Sequence, residues 1–259
     1  MTQGQCLDVK PKDRKSRILE LVERAGEATV EGLVAEFGVS AETIRRDLGQ
    51  LAEMGALTKV HGGARRLRLH VEGSFEERMG DGAAAKAVIA RKLRAMIGPG
   101  DTLFLDTGTT TLACAQALAN VEGLTVITNG PRLAQVLTRG EGGARVFLVG
   151  GTYAGENGET VGSLALAQIA QFHADYAVVG AAAVDAVSGA MAADFEEAAV
   201  ARAMCANARQ IIICAHNAKI GRRAAHRICR LDEMAAFICN EEPSDSFKSV
   251  LSGAGVQLR

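Results

Sequence analysis

The stretch VSAETIRRDLGQL, from Val39 to Leu51, has the pattern of a short amphipathic helix. Ser40 is placed to cap its N-terminus, and Glu42 lies in the first turn, where the helix dipole favours a carboxylate. At helical pitch one narrow stripe is apolar and consists of Ile44, Leu48 and Leu51. The opposite side carries Glu42, Arg46, Gly49 and Gln50, flanked by Thr43 and Arg45. Exposed arginines suit phosphate oxygens and the acceptor edge of guanine, so we interpret the stretch as a recognition helix; a solvated surface helix is the simpler alternative.

The residues around this helix predict a small winged fold. Residues 13–25 and the segment after Thr29 have helical patterns that end at Gly26 and Gly38. The tight turn at residues 38–39 matches a helix-turn-helix. Residues 56–68, ALTKVHGGARRLR, alternate well enough for a basic hairpin with a glycine turn. We therefore predict a winged helix-turn-helix, α-helical with a small β-hairpin, over residues 13–67, preceded by a flexible tail of residues 1–12.

The charge distribution suits a nucleic-acid contact in this region only. The whole chain has a formal net charge of -1, which gives no general tendency to bind nucleic acid. Basic residues are concentrated instead, with five against one acid from Lys10 to Arg17 and four without an acid from Lys59 to Arg68. Such a local footprint fits DNA binding, although charge runs are commonly no more than a solvated face.

Composition sets the broad class of the protein. The chain has 259 residues, 48% of them hydrophobic, which is enough for two domains with sizeable cores. Its start has no apolar signal-peptide core, and no run approaches a membrane span of about 20 residues. Six cysteines show neither C-x-x-C nor paired metal-ligand spacing, so they read as buried thiols in a reducing compartment. We expect a soluble cytoplasmic protein without membrane contact, metal or cofactor.

The remainder of the chain predicts a second domain of a different kind. Residues 68–82 mix charge and glycine and are interpreted as a linker. Within residues 83–259, short apolar runs alternate with amphipathic stretches, and they occupy residues 102–106, 124–128, 145–149, 176–180 and 211–215. Continuous apolar strands separated by helical crossovers indicate an α/β domain with a mainly parallel sheet covered on both faces.

Polar residues follow several of these predicted strands, where ligands bind in such sheets. The segment DTGTTT begins at Asp106, which can accept from a sugar hydroxyl, and Gly108 lets the backbone approach a ligand. Thr109 and Thr110 can hold an oxyanion at a helix start. Further strand ends supply Thr128, Asn129, Gly151 and the cation of Lys219. Together they favour a small phosphorylated sugar or polyol, although Gly and Thr are common in such turns and Lys219 can be an ordinary surface charge.

The N-terminal motifs resemble the DeoR family of bacterial transcription regulators. Arg14 and Ile18, the run SAETIRRDL and HGGA at 61–64 carry the resemblance. It implies binding to double-stranded operator DNA through Ser40, Thr43, Arg45 and Arg46, with Lys59 and His61 of the hairpin near the DNA backbone or minor groove. We add two residues of the same helix and hairpin, Glu42 and Arg65. Asp47 lies toward the inward side of the helix, where we expect it to orient an arginine or a backbone amide.

The C-terminal half resembles the DeoR-type sensor domain, which is similar in fold to sugar-phosphate isomerases and CoA transferases. The matching residues include DTGTT, Thr128 with Asn129, and Gly150 with Gly151. The resemblance adds Asp194, Glu197 and Lys219 to the expected effector site. The runs AQIAQFHADYAVVG and DFEE look most like the glycerol-3-phosphate repressor subgroup, which makes glycerol 3-phosphate the first candidate effector. Departures from the family pattern, which change local charge and hydrogen bonding, are His216, Ile220, Cys239 and Asn240.

Two functions remain open at this point. In the first, a homodimer or homotetramer holds two recognition helices about one DNA turn apart, and effector binding alters repression. In the second, the larger domain is a sugar-phosphate isomerase in which Asp106 or Glu197 removes a proton next to a carbonyl. An isomerase has no need of residues 13–67. We therefore predict a repressor with no catalytic residues.

Overall fold

The computed structural model describes residues 11–53, 56–65 and 73–259. The chain forms two compact units, Met1–Arg68 and Leu69–Arg259. Most of the tail predicted for residues 1–12 lies outside the described residues, but Pro11 already begins the first helix. Each unit has a hydrophobic core of its own.

The smaller unit contains three helices and a three-stranded antiparallel sheet. In chain order its elements are α1 (Pro11–Ala25), β1 (Glu27–Thr29), α2 (Val30–Phe37), α3 (Ala41–Glu53), β2 (Thr58–Val60) and β3 (Gly63–Arg65). The hairpin of β2 and β3 is the predicted wing, and β1 pairs with β3 on its other side. Strand β1 was not predicted, because it has only three residues and pairs with a strand far away in the sequence. Thr29 caps α2 as expected, and Gly38 ends it with a left-handed φ of 67°.

The core of this unit holds α3 in one orientation. Ile44 and Leu48 are completely buried and Leu51 is nearly so, as the helical stripe predicted. Asp47 is also buried, and its carboxylate accepts a 2.6 Å hydrogen bond from Nε of Arg14 on α1. The expectation that Asp47 orients an arginine is therefore confirmed. The ion pair therefore joins α3 to α1 inside the unit.

Replacing Asp47 by alanine should destabilise the smaller unit by about 3 kcal/mol, since the buried guanidinium of Arg14 then loses its paired carboxylate. The measurement is hydrogen exchange of the α1 and α3 amides in the full chain. Glu42→Ala is the matched control on the same helix, because its side chain is 74% exposed and its ion pair with Arg45 is long at 3.9 Å. Unchanged exchange in Asp47→Ala would show that the buried pair contributes nothing to stability.

The larger unit is an α/β domain. In chain order its main elements are α4 (Phe75–Gly80), α5 (Ala83–Arg94), β4 (Thr102–Leu105), α6 (Thr109–Leu118), β5 (Thr125–Thr128), α7 (Pro131–Arg139), β6 (Arg145–Leu148), β7 (Thr152–Ala154), β8 (Glu159–Val161), α8 (Ser163–Ile169), β9 (Ala174–Gly180), β10 (Ala183–Asp185), β11 (Gly189–Ala192), α9 (Phe195–Ala206), β12 (Ala208–Cys214), β13 (His226–Cys229), β14 (Ala236–Ile238), α10 (Asp245–Gly253) and β15 (Gln257–Leu258). Seven strands form one sheet in the order β15, β14, β12, β9, β4, β5, β6. Every neighbouring pair in it is parallel, as predicted.

Side chains of this sheet alternate between two cores. Leu103, Leu105 and Val178 pack with residues of α5, α6 and α7, whereas Phe104 and Val179 pack with residues of α8, α9 and α10. Helices thus cover both faces, which explains why the strands read as continuous apolar runs. The sequence analysis located β4, β5, β6, β9 and β12 but missed β14 and β15, which are three and two residues long.

The predicted linker is shorter than residues 68–82. Residues 75–80 form α4, and Phe75 is 2% exposed within the core beside α5 and α6. Ser74 and Glu77 form a reciprocal capping box at the start of this helix. Residues 75–80 therefore belong to the larger unit, while residues 68–72 lie outside the described residues.

The described cysteines behave as the sequence analysis expected. Cys114, Cys205, Cys214, Cys229 and Cys239 are buried free thiols. A hydrogen bond with Cys229, together with burial, raises the pKa of the Cys205 thiol, and Cys114 does the same for Cys214. A raised pKa keeps a thiol protonated and unreactive. Separately, among the helices of the described residues we find none with the length and apolar character needed to cross a bilayer.

Candidate functional site

The exposed face of α3 carries the predicted DNA-binding residues. Oγ of Ser40 accepts a 3.2 Å hydrogen bond from the amide of Thr43, and the two hydroxyl oxygens lie 2.9 Å apart. Arg45 and Arg46 are both exposed. Within the described ranges Arg46 makes no ion pair, and Arg45 makes only the weak one with Glu42. The guanidinium groups are thus available to an anionic partner.

The hairpin contributes three more exposed residues of the predicted set. Lys59 lies on β2, His61 in the turn and Arg65 at the end of β3. Arg65 pairs with Glu27 of β1 at 3.1 Å, and both side chains are more than half exposed. Such a pair is weak, so a phosphate can replace the carboxylate. Arg66 and Arg68, which belong to the same basic run, lie outside the described residues.

A cavity in the larger unit lies at the carboxyl ends of β4, β9 and β12. Its enclosed volume is about 70 Å³, and the empty space rises to about 790 Å³ when the part open to solvent is included. Six of the predicted effector residues line this cavity: Asp106, Gly108, Thr109, Thr110, Glu197 and Lys219. A seventh, Asn129, lies behind them and contacts lining residues. Thr109 and Thr110 form the first turn of α6, whose amides have no partner within the helix. The site therefore combines a helix start with acidic and basic side chains.

Three carboxyl groups meet in this cavity. Asp106 is buried, and burial together with the charge of Glu197 raises its pKa to about 8, against the effect of the Thr107 and Gly180 amides. Burial also raises the pKa of Glu159, as do the charges of Asp106 and Glu197. Neighbouring carboxyl groups that are buried away from water cannot all ionise, so Asp106 and Glu159 tend to keep their protons near neutral pH. Protonated carboxyl groups can donate to the hydroxyl oxygens of a ligand as well as accept from them.

Asn129, the seventh predicted residue, does not line the cavity but contacts residues that do. It is completely buried, and its amide nitrogen donates to Glu159 at 2.8 Å and to the carbonyl of Thr160 at 3.3 Å. Its amide oxygen accepts from the hydroxyl of Thr107 at 3.0 Å. Both Thr107 and Glu159 line the cavity, so Asn129 fixes two lining residues.

Three predicted effector residues do not line the cavity. Thr128 is buried and accepts from the amide of Gly130 at 3.1 Å. Gly151 packs against β8, where a side chain would meet the carbonyl oxygen of Val161. Asp194 is an exposed N-cap that accepts from the first-turn amides of α9. These residues stabilise turns beside the site, and the prediction that they contact an effector finds no support in the geometry.

Several lining residues were missed, namely Arg78, Asp81, Lys86, Asn157 and Glu159. Arg78 and Asp81 fall in the stretch interpreted as linker, and Glu159 lies in a glycine-rich hairpin that reads as a loop. The one usable signal was Lys86, a cation between alanines near the start of α5, which is 5% exposed. Such a residue in a helix that must pack against a sheet marks a buried charge.

The four departures from the family pattern have different surroundings. His216 lines the cavity, and burial and the charge of Lys219 lower its pKa, so it is neutral near pH 7. Asn240 accepts a 2.8 Å hydrogen bond from the amide of Asn217, close to His216 in sequence. Ile220 bridges to Val184, and Cys239 is buried in the core. Only His216 thus alters the cavity lining itself. Among the described residues no cluster of three or more metal-ligating side chains occurs.

Comparison with known proteins matches both units. The DeoR-like helix-turn-helix domain matches residues 14–68, and the DeoR C terminal sensor domain matches residues 82–241. The glycerol-3-phosphate regulon repressor of Escherichia coli K12 is 33% identical over 250 residues, covering 96% of this chain and 99% of that protein. The transcriptional repressor AccR of Agrobacterium fabrum is 34% identical over 229 residues, or 88% of each chain. The repressor GlcR of Bacillus subtilis is 32% identical over 248 residues, or 95% of each chain.

These matches define the class of protein, a transcriptional repressor with an attached sensor domain rather than an enzyme. The chain belongs to the DeoR family. Solved structures resemble it more loosely. Chaetomium thermophilum eIF2B beta has a TM-score of 0.45 at 16% identity, covering 95% of this chain and 68% of that one. Ribose 5-phosphate isomerase A of Methanocaldococcus jannaschii has a TM-score of 0.39 at 13% identity, covering 53% and 54%.

The raised pKa of Asp106 predicts a pH-dependent stability. Because its pKa is about 8 in the folded chain and near 4 when unfolded, the folded state keeps a proton that the unfolded state loses between those values. The free energy of unfolding should therefore fall as the pH rises from about 4 to about 8. Asp106→Asn, which mimics the protonated form, should flatten this decline in thermal unfolding of the larger unit. Parallel pH profiles for the two proteins would contradict the assignment.

Proposed function

We propose that this repressor binds its operator through α3 and the β2–β3 hairpin and that a phosphorylated sugar or polyol in the cavity modulates this binding. Glycerol 3-phosphate is the first candidate effector. The observation that carries the proposal is the cavity, where a helix start and three basic side chains adjoin protonatable carboxyl groups. One part suits a phosphate and the other suits hydroxyl groups.

For DNA, the exposed face of α3 provides the donors and the core fixes their direction. The buried stripe of Ile44 and Leu48, together with the Arg14–Asp47 pair, leaves Arg45 and Arg46 on the outer side. In a helix-turn-helix this side of the second helix enters the major groove. We propose that one of the two arginines reads a base while the other, with Lys59, holds phosphates. Ser40, Thr43 and His61 are placed to add neutral contacts.

For the effector, the charge of the cavity favours an anion near neutral pH. Arg78, Lys86 and Lys219 line it together with four carboxyl groups. Because burial raises the pKa of Asp106 and of Glu159, these two carboxyl groups offset little of the positive charge of the basic side chains near neutral pH. The first-turn amides of α6 add hydrogen-bond donors for phosphate oxygens. The identity of the regulon repressor relatives supports glycerol 3-phosphate, and the neutral His216 is the residue at which this chain would adjust that preference.

A homodimer or homotetramer is part of the proposal. Helix-turn-helix proteins bind two half-sites about one helical turn of DNA apart, which requires two recognition helices with two-fold symmetry. Operator fragments selected from genomic DNA should then contain inverted repeats with this spacing.

Arg46→Ala should reduce affinity for the selected operator at least tenfold, because a charge-assisted contact to a base or phosphate is lost. The measurement is fluorescence anisotropy with labelled operator. Arg139→Ala, an exposed arginine of the larger unit, removes the same charge elsewhere and should leave affinity unchanged. Equal operator affinity for Arg46→Ala and the wild type would refute the recognition-helix assignment.

Glycerol 3-phosphate should raise the unfolding temperature of the larger unit, since a ligand that binds only the folded state stabilises it. Lys219→Gln should weaken this effect by removing a cation from the cavity. Lys248→Gln, on the exposed side of α10 where it pairs with Glu242 and Asp245, is the matched control. If a panel of sugar and polyol phosphates produced no shift in the wild type, the effector proposal would be wrong.

A further inference from the structure

Helix α4 is the first described element of the larger unit after the smaller one in sequence. Its anchor is Phe75, buried in the core beside α5 and α6. Arg132 of α7 lies over the Phe75 ring at 4.4 Å and pairs with Glu76 at 2.8 Å. One side of this short helix is therefore held by the buried ring of Phe75, with an exposed ion pair beside it.

The other side of α4 is held by a chain of hydrogen bonds that runs through the cavity. Arg78 donates to Oδ1 of Asn157, and Asn157 donates to a carboxylate oxygen of Glu197. Lys86 donates to the carbonyl oxygen of Arg78. All four of these residues line the cavity. A ligand there must contact or displace this chain.

Arg78 also reaches back toward the start of the unit. Its Nε donates to the carbonyl oxygen of Gly73 at 3.1 Å, just before the capping residue Ser74. One guanidinium group thus joins the cavity to the chain segment that leads from the smaller unit. One of its contacts in the cavity is the neutral amide oxygen of Asn157, and such an oxygen binds a guanidinium less strongly than a phosphate does.

We propose that Arg78 is a phosphate-binding residue of the effector site and that its exchange of Asn157 for the effector phosphate repositions α4 and residues 73–74. This inference rests on the proposed function and names the residues through which effector binding changes the position of α4. Coupling requires that a group have different partners in the two states, and Arg78 meets this requirement because the ligand replaces its amide contact. Arg132 holds the opposite side of α4 in both states and does not line the cavity.

Hydrogen exchange of the full chain, with and without glycerol 3-phosphate or inorganic phosphate at matched ionic strength, tests the proposal. In the wild type, ligand should change exchange both in residues 107–112 and in residues 73–86. Arg78→Gln should bind about tenfold more weakly or worse, as expected for loss of one charge-assisted hydrogen bond. At saturating ligand it should still protect residues 107–112 but show no change in residues 73–77.

Two further variants keep the outcome interpretable. The guanidinium of Arg78 also lies over the Phe75 ring, at 5.8 Å. Arg132→Gln removes the other cation from this ring and should respond to ligand as the wild type does. Arg78→Lys retains the positive charge but lacks the planar guanidinium with its paired donors, so it should recover part of the affinity. Hydrogen exchange of β4 and β9 at the wild-type rate verifies that each variant is folded. Ligand protection confined to residues 107–112 in the wild type would overturn this inference alone. Absence of protection throughout the chain would overturn the proposed effector site as well.

Discussion

The parallel direction of all seven strands is the constraint on which the sensor half depends. It brings the carboxyl ends of β4, β9 and β12 to one edge of the sheet. Asp106, Gly180 and Lys219, which are far apart in sequence, therefore line one cavity. The helices on both faces keep this edge dry enough to raise the pKa of Asp106. Burial, rather than any single contact, thus gives the site protonated carboxyl groups beside basic ones.

Burial of so many polar groups is tolerated because they satisfy one another. Among the described residues, no buried side-chain nitrogen or oxygen lacks a hydrogen-bond partner. Asn129 joins Thr107 to Glu159, and Asn157 joins Glu197 to Arg78. A network of this kind is rigid when every member has a partner. The same physical rule holds α3 in the smaller unit, where the buried carboxylate of Asp47 is paired with Arg14.

Much of this architecture was predictable from periodicity, and the remainder was not for specific reasons. The stripe of Ile44, Leu48 and Leu51 repeats at helical spacing, and five of the strands are continuous apolar runs, so they were identified. Strands β1, β14 and β15 were missed because they have two or three residues and, unlike β2 and β3, are not marked by a glycine turn between them. In the site, residues that directly follow a strand, such as Asp106 and Thr109, were found. Arg78 and Glu159 were missed because tertiary packing, and not their place after a predicted strand, brings them to the cavity. Asp194 caps α9 and Thr128 accepts from a turn amide, and the sequence could not separate these structural roles from ligand binding because both use the same residue types.

The account as a whole requires that the effector cavity and the operator-binding surface influence each other through one chain. Thermodynamic linkage makes this influence reciprocal, so an effector that weakens operator binding by some factor must itself bind more weakly, by the same factor, to the operator complex. The most direct test is calorimetric titration of glycerol 3-phosphate into the full chain, free and saturated with its operator. The account predicts dissociation constants that differ by the factor found for operator binding with and without effector. Equal effector affinity in the two titrations, with binding evident in both, would contradict it.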